Sequence, residues 1–251
     1  DFFGVTCGKK IIIFTNNDNS YETAVSLHNK GVNVVVVDIR KSSNSSIVKQ
    51  VEDLNIKIYW NHGVNNTFGY KKINSVDIVE LSEDGSSVIG SKTKLNCDCL
   101  AISGGWTPMV HMHTQSGGKL NFREEDQVFI PKYDFKDNIS IGSCNGDFEL
   151  DNIIKNSNES IKKYLDLNET EYDNIDIICS KEKNKRNIWL IPNNLPSKKN
   201  KSFIDFQNDS TGKDIKLALR EGFRSIEHVK RYTTTGMATD QGKTSNMHAL
   251  G

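Results

Sequence analysis

In the N-terminal half of the chain, hydrophobic residues come in short unbroken runs. Lys10-Ile11-Ile12-Ile13-Phe14 and Val32 to Asp38 have no polar residue alternating with their branched ones, the pattern of strands buried on both faces. Between them, Ser20 to Lys30 places Ala24, Leu27 and His28 at helical spacing, and Gly31 ends the segment. Strand, helix and strand in this compass predict a parallel crossover unit. Ser46 to Leu54 predicts a second helix and Ile56 to Trp60 a third strand. Val76-Asp77-Ile78-Val79 and the Asp84-Gly85 turn predict an antiparallel meander. Cys99-Leu100-Ala101-Ile102 and Ile139-Ser140-Ile141 read as short strands, each running into glycine.

Past residue 148 the period changes. Leu150, Ile153, Ile154, Ser157, Ile161 and Leu165 fall on one helical stripe. Lys181 to Lys201 is basic, holds Pro192 and Pro196, and predicts a loop or linker around Trp189-Leu190-Ile191. Thr211 to Phe223 predicts a helix capped by Thr211 and Asp214, the hydroxyl taking a free backbone N–H while the acid reaches back. Ser225 to Tyr232 predicts a further helix, and Thr233 to Gly251 is polar and irregular. The expected fold class is α/β. A nucleotide-binding-like parallel sheet with an antiparallel meander occupies 1–148, and a small, mainly helical module occupies 149–251.

Composition narrows the partners. Hydrophobic residues make up 36% and charged residues 25%, enough for a modest core. Lys plus Arg equals Asp plus Glu at 32 each, so no basic field argues for nucleic acid or an anionic membrane. No apolar run approaches the roughly 20 residues that cross a bilayer, and Asp1-Phe2-Phe3-Gly4 lacks the regions of a signal peptide. Cys7, Cys97, Cys99, Cys144 and Cys179 are odd in number and form no close framework, which points to reduced thiols and a cytoplasmic setting.

The first crossover has the layout of a nucleotide-binding unit but not its turn. A dinucleotide fingerprint needs glycines after the first strand so that backbone N–H groups approach the pyrophosphate. Here the turn is Thr15-Asn16-Asn17-Asp18-Asn19-Ser20, without glycine and with an acid that repels phosphate. Asp38 stands where an acid can bind a ribose, but the missing glycines favour a structural role for the unit. Ser103-Gly104-Gly105 and Gly142-Ser143-Cys144-Asn145-Gly146 are two further glycine turns. The second leads to a helix starting at Leu150, whose N-terminus suits a pyrophosphate. Either turn alone is ordinary. Together they look like the return from an inserted nucleotide-type domain to its parent in two-domain flavoprotein disulfide reductases.

His111, His113 and Gln115 give no metal reading beyond chance spacing, so packing or subunit contact is expected there. Alternation would turn Cys97 and Cys99 to one face, open to a reactive pair, although buried reduced thiols are favoured. Gly236 to Thr244 comes near a phosphate loop, but five residues separate its glycines where that motif has four, and no strand precedes it. Lys230-Arg231-Tyr232-Thr233-Thr234-Thr235 places two cations and three hydroxyls at a helix end. A phosphate site and a solvated end where cations meet the helix dipole both remain open.

Phe203-Ile204-Asp205-Phe206-Gln207-Asn208-Asp209, Arg220-Glu221-Gly222 and the long run from Ser225 to Asn246 closely resemble the alpha subunit of heterotetrameric sarcosine oxidase. Phe14 to Asp18 and Gly105 to His111 look like the same subunit. The resemblance covers nearly the whole chain and identifies it as an internal fragment. It implies a flavoenzyme that demethylates sarcosine, forms peroxide and passes the one-carbon unit to tetrahydrofolate. It implies NAD on the alpha subunit, FMN shared with the beta subunit, FAD and tetrahydrofolate outside this chain, and beta, gamma and delta subunits as partners. By this resemblance Ser143, Cys144, Gly146, Phe148 and Leu150 lie on the NAD side. Lys230, Arg231, Thr233, Thr234, Thr235 and Lys243 would serve the FMN phosphate. Catalytic residues are not assigned, no metal is expected, and this stretch alone is expected to be inactive. The alternatives are an alpha-type subunit of a proline or hydroxyproline dehydrogenase and a non-catalytic assembly scaffold. Some such relatives carry an iron–sulfur cluster, but only Cys179 lies beyond Cys144, so four local thiolates are lacking.

Overall fold

The computed structural model describes residues 3–133, 138–167, 186–193 and 201–251. Cys179, Pro196 and most of the basic stretch 181–201 lie outside the described residues. The chain forms two compact units, residues 1–80 with 90–187, and residues 81–89 with 188–251.

The first unit is built on β1 (Lys10–Thr15), α1 (Asn19–Asn29), β2 (Asn33–Asp38), α2 (Ser46–Asp53) and β3 (Lys57–Trp60), close to the spans the hydrophobic runs predict. An antiparallel meander follows: β4 (His62–Gly69), β5 (Ile73–Leu81) and β6 (Val88–Asn96). The chain then returns as β7 (Cys99–Ser103) to lie parallel to β1, giving the sheet order β3-β2-β1-β7.

The unbroken hydrophobic runs have a direct cause in this arrangement. Successive side chains of a strand point to opposite faces, and both faces here are covered. Ile11, Ile13, Val34 and Val36 pack with Tyr21, Ala24 and Val25 of α1 and with Val48 and Val51 of α2. Ile12 and Val37 pack the other way, against Val76 and Ile78 of the meander. Polar residues are excluded from both sides, so the alternation of a one-sided strand is missing.

Cys97 and Cys99 do not share a face. Cys97 precedes β7 and packs with the meander-side cluster, whereas Cys99 packs on the helix side, paired in register with Ile11. Alternation fails because Asp98 forms a turn between them, its carboxylate accepting the Lys9 and Lys10 backbone N–H groups at 3.0 and 2.8 Å. Burial pushes both thiols above their usual pKa, with Asp98 adding to the shift.

A short helix α3 (His111–Gln115) and a hairpin of β8 (Leu120–Arg123) and β9 (Val128–Pro131) follow. His113 is buried, its Nε2 3.1 Å from the Lys119 carbonyl and its Nδ1 3.4 Å from the Ser140 hydroxyl. It therefore serves packing. Ile139-Ser140-Ile141 is not a strand. It pairs with no strand of the parallel sheet, whose order ends at β7, and passes into a 3-10 turn at Gly142–Asn145. Helix α4 (Leu150–Leu165) carries the expected stripe and lies in the first unit.

The second unit holds β10 (Phe203–Asp205), β11 (Ser210–Thr211), α5 (Gly212–Arg220), α6 (Ile226–Thr233) and α7 (Asn246–Leu250). The cap of α5 forms as its residue types predict. Asp214 accepts the Thr211 backbone N–H at 2.8 Å and the Thr211 hydroxyl at 2.7 Å. Asp205, 3% exposed, organises the loops around it, accepting backbone N–H groups of Gln207, Asn208 and Gly236 at 2.9, 3.1 and 2.8 Å.

Candidate functional site

Parallel strands deliver their C-terminal ends to one edge. Where the chain leaves β1 toward β2 on one side and β7 lies on the other, the loops diverge and open a crevice, the usual ligand position in open α/β sheets. In this protein that crevice has a volume of about 600 Å³. Its walls are the β1–α1 turn, the start of α2, the glycines after β7, the end of the β8–β9 hairpin, the turn before α4, and Arg186 with Asn187.

The asparagines of the β1–α1 turn tie the two strands together across the opening. Asn16 donates to the Gly104 carbonyl at 3.1 Å, and Asn17 Nδ2 donates to the Ser103 hydroxyl at 2.9 Å. Gly105, at φ +98°, makes the sharp turn that follows β7. Arg123 bridges the hairpin to the next turn, pairing with Asp126 at 2.6 Å and donating to the Gly146 carbonyl at 2.7 Å.

Behind the crevice lies a buried polar chain. Arg40, 1% exposed, pairs with Asp38 at 2.7 Å and with Asp18 at 2.8 Å. Asp38, fully buried, also accepts the Tyr21 hydroxyl and the Arg40 backbone N–H, both at 2.8 Å. Burial pushes the Tyr21 phenol far above its usual pKa, and the Asp38 charge adds to it. Burial also opposes the Arg40 charge, but the two carboxylates outweigh it and hold the guanidinium protonated.

The fold implies a dinucleotide in such a crevice, and these residues do not fit one. The turn has no glycine, Asp18 stands at the N-terminus of α1 where a pyrophosphate would sit, and Asp38 is spent on Arg40 and Tyr21. Asp38 is thus a structural residue, not a ribose ligand. Of the residues expected on the NAD side, Gly146 and Phe148 line the crevice, while Ser143, Cys144 and Leu150 are not among its walls.

In the second unit, Lys230 and Arg231 occupy the last turn of α6, and neither has an ion pair among the described residues. The three hydroxyls beside them are engaged locally. Thr233 bonds to the Val229 carbonyl and the Thr235 hydroxyl, both at 2.8 Å, and Thr234 donates to the Thr233 carbonyl at 2.6 Å. Thr235 is buried, and Lys243 is exposed on a loop held by Asp240, which accepts N–H groups from Gly242 and Thr244. Cations and hydroxyls therefore share a helix end, with the hydroxyls already bonded within the chain.

The sequence reading missed the acidic side of the crevice: Glu22, Glu125, Asp147 and Glu149. They come from three separate segments, and no local pattern joins all of them.

Residues 199–251 match the sarcosine oxidase A3 domain. The whole chain is similar to curated proteins named sarcosine oxidase subunit alpha. One from Corynebacterium sp. (strain U-96) is 30% identical over 99% of this chain, and one from Rhizobium meliloti (strain 1021) is 32% identical over 99%. The chain spans about a quarter of the length of these relatives, 26% and 24%. In fold it is similar to an L-proline dehydrogenase from P. horikoshii, with a TM-score of 0.55, 18% identity, and 99% of this chain and 44% of that one covered.

Proposed function

The chain is a relative of the sarcosine oxidase alpha subunits over nearly its whole length, and on that premise we propose that it works within the alpha subunit of a flavoenzyme complex that oxidatively demethylates sarcosine to glycine. The reading includes peroxide formation and one-carbon transfer to tetrahydrofolate. It includes NAD on the alpha subunit, FMN shared with a beta subunit, FAD and tetrahydrofolate outside this chain, and gamma and delta subunits as further partners. The observation that carries it is the extent of the likeness. At 30% identity it runs through both compact units and is not confined to the nucleotide-binding-like one.

In this reading residues 1–148 belong to the dinucleotide-binding body, and 149–251 leads toward the folate-binding region of the full subunit. The crevice repels a pyrophosphate, so NAD in the full subunit would meet the Gly142–Leu150 turn mainly through Ser143, Cys144 and Leu150, with Gly146 and Phe148 on the crevice side. The FMN phosphate would be met by Lys230 and Arg231, whose charges have no partner among the described residues, with Lys243 and the hydroxyls of Thr233, Thr234 and Thr235 nearby in sequence. Since those hydroxyls already bond within the chain, the cations carry most of the attraction.

The test is Arg231→Ala and Lys230→Ala in the whole complex, reading FMN content and sarcosine turnover. A charge-assisted phosphate contact contributes about 1.5–3 kcal/mol, so FMN retention should weaken roughly 10-fold in Arg231→Ala. Unchanged flavin content and turnover in both variants would return the segment to a solvated helix end. The fold shared with an L-proline dehydrogenase keeps a cyclic secondary amino acid as the second reading. Turnover of proline or hydroxyproline in place of sarcosine by the same complex would select it, and a complex without flavin absorbance would leave a scaffold.

A further inference from the structure

The crevice between β1 and β7 has lost the features that hold a dinucleotide and gained others. Six carboxylates line it against two guanidinium groups. Asp18 is paired with Arg40 and Asp126 with Arg123. Among the described residues, Glu22, Glu125, Asp147 and Glu149 have no ion pair. Like charges crowded around one opening raise its negative potential, and a partly enclosed crevice focuses that field.

An independent observation points to a donor-bearing ligand. Asn17 is 6% exposed and lines the crevice. Its Nδ2 donates to Asn16 Oδ1 at 3.0 Å and to Ser103 Oγ at 2.9 Å, which fixes the orientation of the amide. Its Oδ1 is buried and has no partner among the described residues. A buried acceptor without a donor costs free energy, and a ligand N–H removes that cost.

The shape of the site decides what kind of cation would enter. Among the described residues no three His, Cys, Asp or Glu side chains converge closely enough to hold a metal ion, so the carboxylates are spread too widely for one small ion. Two exposed aromatic rings, Trp106 and Phe148, also line the space, and ring faces attract organic ammonium and guanidinium groups. A volume of about 600 Å³ is ample for a small organic molecule.

We propose that this crevice is a binding site for a small organic cation, an amine or guanidinium compound, and that it excludes dinucleotides. The backbone frame of a nucleotide site is retained, while its charge is reversed.

The experiment follows the Trp106 indole N–H resonance of this chain, assigned with Trp106→Phe, during titration with benzylammonium, with the neutral benzyl alcohol and with NAD. The cation should shift the resonance saturably. The alcohol should bind about 10-fold more weakly, and NAD should leave it unmoved. Glu22→Gln and Glu149→Gln should each weaken the cation about 3-fold, and 0.5 M salt should weaken it further. Glu22 is exposed on α1, so Glu22→Gln provides the test even if the other variant folds poorly. A missing saturable shift, equal binding of the alcohol, a saturable NAD shift at Trp106, or unchanged cation affinity in Glu22→Gln would each overturn the proposal. NAD held elsewhere in a full subunit does not move Trp106, and the FMN experiment does not involve the crevice, so this inference and the proposed function fail separately.

Discussion

Replacing Arg40 by alanine removes a cation that both Asp18 and Asp38 share at 2.8 and 2.7 Å. Asp38 is then left fully buried with a charge and only hydrogen-bond donors around it. Breaking a buried pair by deleting one partner costs about 3–5 kcal/mol, because the remaining charge is uncompensated. With a urea slope of about 2 kcal/mol/M, the midpoint should fall by about 1.5–2.5 M. Trp60 is a suitable reporter, since its ring lies 6.1 Å from that of Tyr21, which bonds to Asp38. A loss below about 1 kcal/mol would show that the pair is not the buried anchor inferred here.

Asp205→Asn should destabilise the second unit by about 1.5–3 kcal/mol in thermal or urea unfolding, since three backbone N–H groups lose their charged acceptor. Burial raises the Asp205 pKa, but those three bonds outweigh it and hold the group below the usual carboxylate range. Its stabilisation is therefore present above pH of about 4 and lost as pH falls through the depressed value, and acid titration of Asp205→Asn should be flatter there. Asp214→Ala removes the reciprocal cap of α5 and should cost about 1 kcal/mol, read as a lower melting temperature with an unchanged folded spectrum.

The sequence alone determined the elements whose cause is local. The runs Ile11-Ile12-Ile13 and Val34-Val35-Val36-Val37 announced doubly buried strands, because a strand covered on both faces admits no polar alternate. Thr211 and Asp214 announced a helix start, because a cap depends on residues three apart. The likeness to sarcosine oxidase alpha subunits was legible in the run from Ser225 to Asn246, where residue identity itself carries the signal. Tertiary structure decided the rest. Ile139-Ser140-Ile141 has strand-forming residues, but the fold pairs it with no strand of the parallel sheet, whose order ends at β7. Asp38 stood where an acid can bind a ribose, and only the fold shows what it does instead, buried against Arg40 and Tyr21. The crevice was least visible of all. Glu22, Glu125, Asp147 and Glu149 are ordinary surface acids when read one at a time. They meet because a parallel sheet gathers the C-terminal ends of its strands at one edge, and loops far apart in sequence must share that edge. Charge acts through space, so the sign of the crevice is a property of the assembled loops and of no segment by itself.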